Sequence, residues 1–171
     1  MRFELGDGYC IRGFLYGDAL SLAKHADNKN IAKHLRDSFP SPYTVGHARL
    51  WIQYVKEHEP KTRFVIAYKE QAIGEIGFLA QMDVHRFSAE LGYWLSEEHW
   101  GRGIMSRTIA LICNYAFEKH NIVRIYADVI EYNKASCKVL EKCGFEIEAV
   151  FQKHVFKYEK FYNQYLYALV R

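Results

Sequence analysis

The sequence predicts an α/β fold in which helices cover both faces of a mixed β-sheet. The first observation is a hairpin, because residues 63–68 and 72–80 are strand-like and a short polar turn separates them. The second is a strand, a helix and another strand in succession, at residues 89–95, 104–119 and 123–130. Two strands joined through a helix form a parallel crossover. We therefore expect an antiparallel meander that continues into a parallel crossover.

The remaining elements follow from the same periodic patterns. Further strands are expected at residues 9–16, 146–152 and 162–170. Further helices are expected at residues 18–26, 30–36, 44–60 and 134–142. Together these elements describe one sheet with helices before, within and after the crossover.

Helix-capping residues and glycines set several of these boundaries. Asp18 and Thr44 stand where helix N-caps are expected, and Gly144 is placed to end the last helix. Gly74 and Gly77 interrupt a strand, which predicts a bulge or a close approach of another backbone segment.

Length and composition limit the classes of protein that the chain can represent. Half of the 171 residues are hydrophobic, which is the size and content of one domain, and we expect residues 1–171 to form a single domain. The net charge is +3 with no long basic block, so neither nucleic acid nor a membrane surface is indicated as a partner. The four cysteines lack metal-binding spacing and no secretory signal opens the sequence. We expect a cytoplasmic monomer or homodimer with no bound metal.

The junction at Glu98–Ser106 is the stretch that most strongly indicates chemistry. Gly101 and Gly103 flank Arg102 between the strand and the helix, so the backbone can turn sharply and approach a ligand closely. The start of a helix carries about half a positive charge and binds phosphate, and Arg102 adds a formal charge. The junction predicts a pyrophosphate site. A tight turn without any ligand is the alternative.

Three motifs then share their order and spacing with one protein family. The junction matches the pattern Gln/Arg-x-x-Gly-x-Gly/Ala except at Glu98, and Glu-x-Gly-Tyr-Trp precedes it at residues 90–94. An Asn-x-x-Ser helix beginning at Asn133 leads to Gly-Phe at residues 144–145. With these motifs the chain resembles the GNAT superfamily of acetyl-CoA-dependent N-acetyltransferases, and in particular its RimJ/RimL-like branch of ribosomal-protein N-terminal acetyltransferases.

The resemblance implies a GNAT-like fold with acetyl-CoA as co-substrate and no metal. The pantetheine arm would lie between the two splayed parallel strands, with Leu95 contacting it through its backbone and Asn133 holding its far side. The residues implied to bind the pyrophosphate are Gly101, Arg102, Gly103, Ile104 and Met105, with Ser106 adding its hydroxyl.

The resemblance leaves the acid–base chemistry open. Many members of the superfamily carry a tyrosine acid seven residues after the asparagine, where this chain has Leu140. Ser136 lies one helical turn from Asn133, so we expect it to serve the leaving thiolate as proton donor or hydrogen-bond partner. A serine that satisfies the helix start is the alternative. Glu90 and Asp128 compete for the role of base.

Other functions remain as alternatives. A dinucleotide-binding fold is disfavoured, because its glycine fingerprint normally follows the first strand rather than a meander. A non-catalytic module that binds acetyl-CoA is a second alternative, because Leu140 stands where many members of the superfamily carry the tyrosine acid. As the acceptor we expect a primary amine, with a protein or peptide N-terminus ahead of a polyamine or an antibiotic. We expect its cleft to carry Glu90, Tyr93 and Trp94, with walls at residues 28–43 and 154–161.

Overall fold

The computed structural model describes residues 2–171, which contain eight strands and five α-helices. The strands are β1 Arg2–Gly6, β2 Tyr9–Arg12, β3 Arg63–Tyr68, β4 Gln71–Ala80, β5 Ser88–Leu95, β6 Arg124–Ile130, β7 Glu146–Lys157 and β8 Lys160–Val170. The helices are α1 Ala19–Ala26, α2 Lys29–Ala32, α3 Val45–Glu57, α4 Ile104–Lys119 and α5 Lys134–Lys142. Among residues 2–171, no helix has the length and apolarity that crossing a membrane requires.

The strands form one mixed sheet in the order β1-β2-β3-β4-β5-β6-β8-β7. Strand β5 pairs in parallel with β6, in a register that joins Ser88 to Arg124 and Glu90 to Tyr126. The pairs β1–β2, β2–β3, β3–β4, β6–β8 and β7–β8 are antiparallel. The predicted α/β fold with a parallel crossover is confirmed.

The chain divides into two compact units, which we describe separately. The first extends to Gly77 and includes residues 93–108, and the second contains residues 78–92 and 109–171. In the first unit, Leu22 of α1 and Ile52 of α3 belong to one apolar cluster with strand residues such as Val65. Each of these side chains is at most 1% exposed. A fully buried aliphatic side chain contributes about 1.5–3 kcal/mol, so this cluster holds the two helices on the strands.

In the second unit, strand β8 lies between β6 and β7. Its register with β6 runs without interruption, from Arg124 opposite Val170 to Ile130 opposite Gln164. The α4 side chains of Ile109, Ile112 and Ala116 are fully buried.

A buried ion pair corrects the predicted role of Asp18. Helix α1 begins directly after Asp18, as expected, but the Asp18 carboxylate makes no capping hydrogen bond to this helix. Both of its oxygens instead accept from Arg12, at 2.7 and 2.8 Å, and one also accepts from the Leu15 N–H at 2.8 Å. These bonds turn the chain after Arg12, and strand β2 therefore ends there and not at residue 16.

Other element boundaries also differ from expectation, and α2 ends at Ala32 rather than at residue 36. Strand β1 was not predicted, because its alternation of apolar and polar residues covers only five positions. Strand β7 runs to Lys157 rather than to residue 152, β8 begins at Lys160, and the two strands meet at a tight turn of Tyr158 and Glu159, both with positive φ. Most of the segment expected as a loop at residues 154–161 is therefore strand.

Gly74 is placed where the sequence predicted a close approach. A Cβ atom on Gly74 would lie 2.6 Å from the Trp94 carbonyl oxygen, and one on Gly77 would lie 2.9 Å from the Thr62 carbonyl oxygen. Both contacts are shorter than a side-chain carbon tolerates, so these glycines allow neighbouring backbone to pack directly against β4.

We expect Gly74→Ala to destabilise the protein by about 1–3 kcal/mol, because the backbone at Trp94 has to move. For a chain of 171 residues this lowers Tm by roughly 2–12 °C in a thermal melt. Gly92→Ala is the matched control, since Gly92 also lies in a strand and its Cβ would meet nothing within 4 Å. Equal melting temperatures for the two variants would contradict the close approach.

Candidate active site

The loop between β5 and α4, in the first unit, has the geometry of an anion cradle. Gly101 has a φ of +73° and Gly103 a φ of +71°, a left-handed conformation that side chains with a Cβ rarely adopt. A Cβ on either glycine would meet nothing within 4 Å. The two glycines thus turn the chain sharply and leave open space over the backbone.

Helix α4 starts directly after this loop. It has 16 residues and begins at Ile104, so its N-terminal dipole is fully developed. The first N–H groups of any α-helix have no acceptor within the helix, and here they belong to Ile104, Met105 and Ser106. Arg102 brings a guanidinium to the same turn. The loop and the helix start therefore combine three features that favour a phosphate group.

The segment that precedes the loop, Ser96 and Glu97, is held by hydrogen bonds from α1 and from the start of α2. Asn28 and Asn30 donate to the Glu97 carboxylate at 2.7–3.1 Å, and these bonds lower the pKa of Glu97. His25 Nδ1 lies 2.9 Å from the Ser96 hydroxyl, and burial lowers the pKa of His25. The segment that enters the loop is thus fixed from one side.

A second group of buried side chains lies beneath the loop. Tyr9 Oη is 2.9 Å from His99 Nδ1, and Arg102 donates to the same oxygen at 3.4 Å. The Tyr9 ring packs on Tyr68, with ring centroids 4.6 Å apart. Burial lowers the pKa of His99, and the charge of Arg102 lowers it further. Sequence reasoning missed this group, because Tyr9 and His99 are 90 positions apart and His99 occupies a variable position of the junction motif.

The structure limits how Leu95 contacts a ligand. Its carbonyl oxygen accepts a 2.8 Å hydrogen bond from the Trp100 indole N–H. A ligand contact through the Leu95 N–H group would leave this bond intact.

In the second unit, Asn133 and Ser136 lie together at the start of α5. Asn133 is the N-cap, and its side-chain oxygen accepts from the Ser136 N–H at 3.2 Å. Both side chains are half-buried. The capping bond uses the side-chain oxygen of Asn133 and not its amide nitrogen.

The other predicted acid–base residues differ in their surroundings. Glu90 is half-buried at the end of the parallel register, opposite Tyr126, and Asp128 is exposed on β6. Leu140 is fully buried in the core of the second unit. The position at which relatives carry a tyrosine acid is therefore a packing position in this chain.

A buried carboxylate on β4 was missed in the sequence. Glu75 accepts hydrogen bonds from the Trp51 indole at 2.9 Å and from the Trp94 side chain, and Arg63 lies 3.5 Å away. Burial raises the pKa of Glu75. Trp94 itself is buried, and its neighbour Tyr93 points to the opposite face of β5. That Glu90, Tyr93 and Trp94 line one cleft stays a prediction.

Comparison with known proteins identifies the family. The sequence profile of the acetyltransferase (GNAT) domain matches residues 9–146. The chain belongs to this family of acetyl-CoA-dependent N-acetyltransferases.

Individual relatives agree with this assignment. The N-acetyltransferase YoaA of Bacillus subtilis is 35% identical over 102 residues, which is 60% of this chain and 57% of YoaA. The N-acetyltransferase p20 of Bacillus licheniformis is 29% identical over 90% of this chain and 88% of p20. Spermidine N(1)-acetyltransferase of Escherichia coli is 27% identical over 70% of this chain and 64% of the enzyme. The chain thus spans little more than half the length of YoaA.

Solved structures share the fold at low sequence identity. The ribosomal-protein-S5-alanine acetyltransferase of Vibrio fischeri superimposes with a TM-score of 0.84 at 24% identity, over 99% of this chain and 96% of that one. RimJ of Mycobacterium smegmatis, solved with a CoA disulfide, superimposes with a TM-score of 0.83 at 20% identity, over 95% of this chain and 81% of that one. These similarities confirm the fold.

We expect Gly103→Ala to weaken acetyl-CoA binding at least about tenfold, or roughly 1.4 kcal/mol, since the added Cβ enters the space over the loop. Calorimetry measures the effect. Gly144→Ala is the matched control, because Gly144 has a φ of +84° and carries the same backbone strain at the end of α5. Unchanged affinity in a folded Gly103→Ala protein would contradict the cradle, as would an equal loss in both variants.

Proposed function

We propose that the protein transfers the acetyl group of acetyl-CoA to a primary amine by direct attack on the thioester. The amine nitrogen bonds to the carbonyl carbon, the carbon–sulfur bond breaks, and the amine's proton leaves while the thiolate gains one. The observation that carries the proposal is the left-handed Gly101–Gly103 turn at the start of α4, in a chain of this family. Residues 1–171 would act as a single acetyltransferase domain.

The cofactor contacts are assigned from the loop geometry and from the resemblance. The backbone N–H groups of residues 101–105 would bind the pyrophosphate, with the Ser106 hydroxyl and the Arg102 guanidinium beside them. The parallel register of β5 stops at Glu90, although the strand runs on to Leu95. This continuation supports the role of the Leu95 N–H as a backbone contact for the pantetheine arm. The amide nitrogen of Asn133 would hold the arm on its other side.

Ser136 is our candidate for the group that serves the leaving thiolate. Its N–H is bonded to Asn133, which fixes the backbone at the start of the helix. The usual tyrosine position supports this choice, because it holds a buried leucine that has no proton to give. For the base, Glu90 and Asp128 both stay candidates; Glu90 is half-buried on β5 and Asp128 is exposed on β6.

We expect Ser136→Ala to lower kcat by about tenfold or more while KM for acetyl-CoA changes little, because the contact strengthens as the thiolate develops. Ser136→Thr keeps a hydroxyl and should restore part of the rate. Steady-state kinetics with thiol detection measures both. A full kcat in Ser136→Ala would assign the serine a structural role only.

Asn133→Asp separates capping from ligand binding. Aspartate caps a helix as well as asparagine does, but it lacks the amide donor and adds a negative charge. We expect the thermal stability to be kept and KM for acetyl-CoA to rise about tenfold. Unchanged KM would show that Asn133 only caps α5.

For the acceptor we propose a protein or peptide N-terminus. An α-amine has a reference pKa of about 8, against about 10.4 for a lysine-type amine, so far more of it is nucleophilic at neutral pH. The relative that acts on spermidine by name makes a polyamine the second candidate. A module that binds acetyl-CoA without turnover is the third.

Initial rates with an N-terminal peptide and with spermidine at equal concentration distinguish these acceptors. The peptide is expected to react faster at pH 7, with a rate that rises through about pH 7–8 and then levels. Exclusive acetylation of spermidine would overturn the choice of acceptor but keep acetyl transfer. Binding of acetyl-CoA without turnover on any amine would favour the non-catalytic module.

A further inference from the structure

The Arg102 side chain is attached to the interior of the first unit before any ligand is present. The backbone of the loop is exposed, yet Arg102 Nη1 donates to the hydroxyl of Tyr9, which is only 4% exposed. The same hydroxyl is bonded to His99, which is 7% exposed. An exposed loop residue thus has a buried anchor.

The direction of the protons in this chain of bonds follows from the donors. A guanidinium only donates, so the Tyr9 oxygen accepts from Arg102. The Tyr9 hydroxyl has one proton of its own, which it donates to His99 Nδ1 when the imidazole is the neutral Nε2–H tautomer. Burial and the neighbouring Arg102 both favour a neutral imidazole, because they lower the pKa of His99. In that tautomer Arg102 donates to Tyr9 and Tyr9 donates to His99, and each bond polarises the next.

The buried anchor of Arg102, made of Tyr9 and His99, is held in place by ring packing. Tyr9 begins β2, lies opposite Tyr68 of β3 in the strand register, and packs against the tilted Tyr68 ring. The His99 ring meets Tyr9 edge-on at 5.5 Å and Tyr68 at 5.2 Å. The Tyr9 hydroxyl cannot move far without breaking these contacts, so the position to which it holds Arg102 is well defined.

We propose that Tyr9 is a positioning residue, which holds the Arg102 guanidinium at the loop so that it is already in place when the pyrophosphate binds. An arginine side chain loses about 2 kcal/mol of rotamer entropy when it is fully ordered, and an anchor made before binding reduces that loss. The inference rests on the proposed function, because it assigns the pyrophosphate of CoA to this loop.

The test compares CoA with pantetheine, which lacks the pyrophosphate, in calorimetric titrations. We expect Tyr9→Phe to raise Kd for CoA about three- to tenfold and to leave Kd for pantetheine unchanged. Tyr68→Phe is the matched control, since it keeps the ring stack and removes a hydroxyl outside the chain of bonds. In an Arg102→Ala background, Tyr9→Phe should have no further effect on CoA.

The outcomes separate this inference from the proposed function. Wild-type protein that binds no CoA would overturn both. Normal binding by the wild type with no change, or tighter binding, in Tyr9→Phe would overturn the positioning role alone. An equal loss for CoA and pantetheine, or a loss that persists without Arg102, would also overturn it. If Tyr9→Phe unfolds at the temperature of the titration, Arg102→Lys replaces it. This variant keeps the positive charge but loses the guanidinium fork. It should raise Kd for CoA and leave Kd for pantetheine unchanged.

Discussion

The left-handed backbone at Gly101 and Gly103 is the constraint on which the candidate site depends. It lets the chain leave β5, turn sharply within a few residues and enter α4, with open space over the two glycines. A Cβ at either position would carry a conformational penalty and occupy that space. The same two glycines therefore decide both how the strand connects to the helix and whether a phosphate fits there.

A turn that binds an anion has to hold its shape, and the polar groups around it explain how it does so. Ser96, Glu97 and His99 each receive a hydrogen bond or a ring contact from β2, α1 or the N-cap of α2. Ser96 and His99 are buried, and buried polar groups are costly unless they are paired, so their contacts also fix the elements that supply them. The segment before the glycines thus acts as a shared framework for the cofactor loop and the first helices.

The sequence predicted the features that local patterns encode. The meander, the crossover, the Thr44 cap of α3 and the close approach at Gly74 all depend on residue types that act over a few positions. The features that the sequence did not predict depend on contacts between residues that are far apart in the chain. Strand β1 alternates Phe3 and Leu5 with polar residues over only five positions, and its pairing with β2 is a contact that the structure adds. Asp18 has the residue type of a cap, but a buried Arg12 takes its carboxylate. Neither the Tyr9 anchor nor the Glu75 cluster has any local signal.

The central claim is that residues 101–106 bind the pyrophosphate of CoA through their backbone. Amide NMR tests it most directly, by following the chemical shifts of a ¹⁵N-labelled protein during titration with CoA and, separately, with NAD. The account predicts saturable shifts that are largest for the N–H groups of residues 101–106 and that appear with CoA at concentrations where NAD has no effect. Saturable CoA binding with no change at these amides, or equal responses to the two ligands, would contradict it.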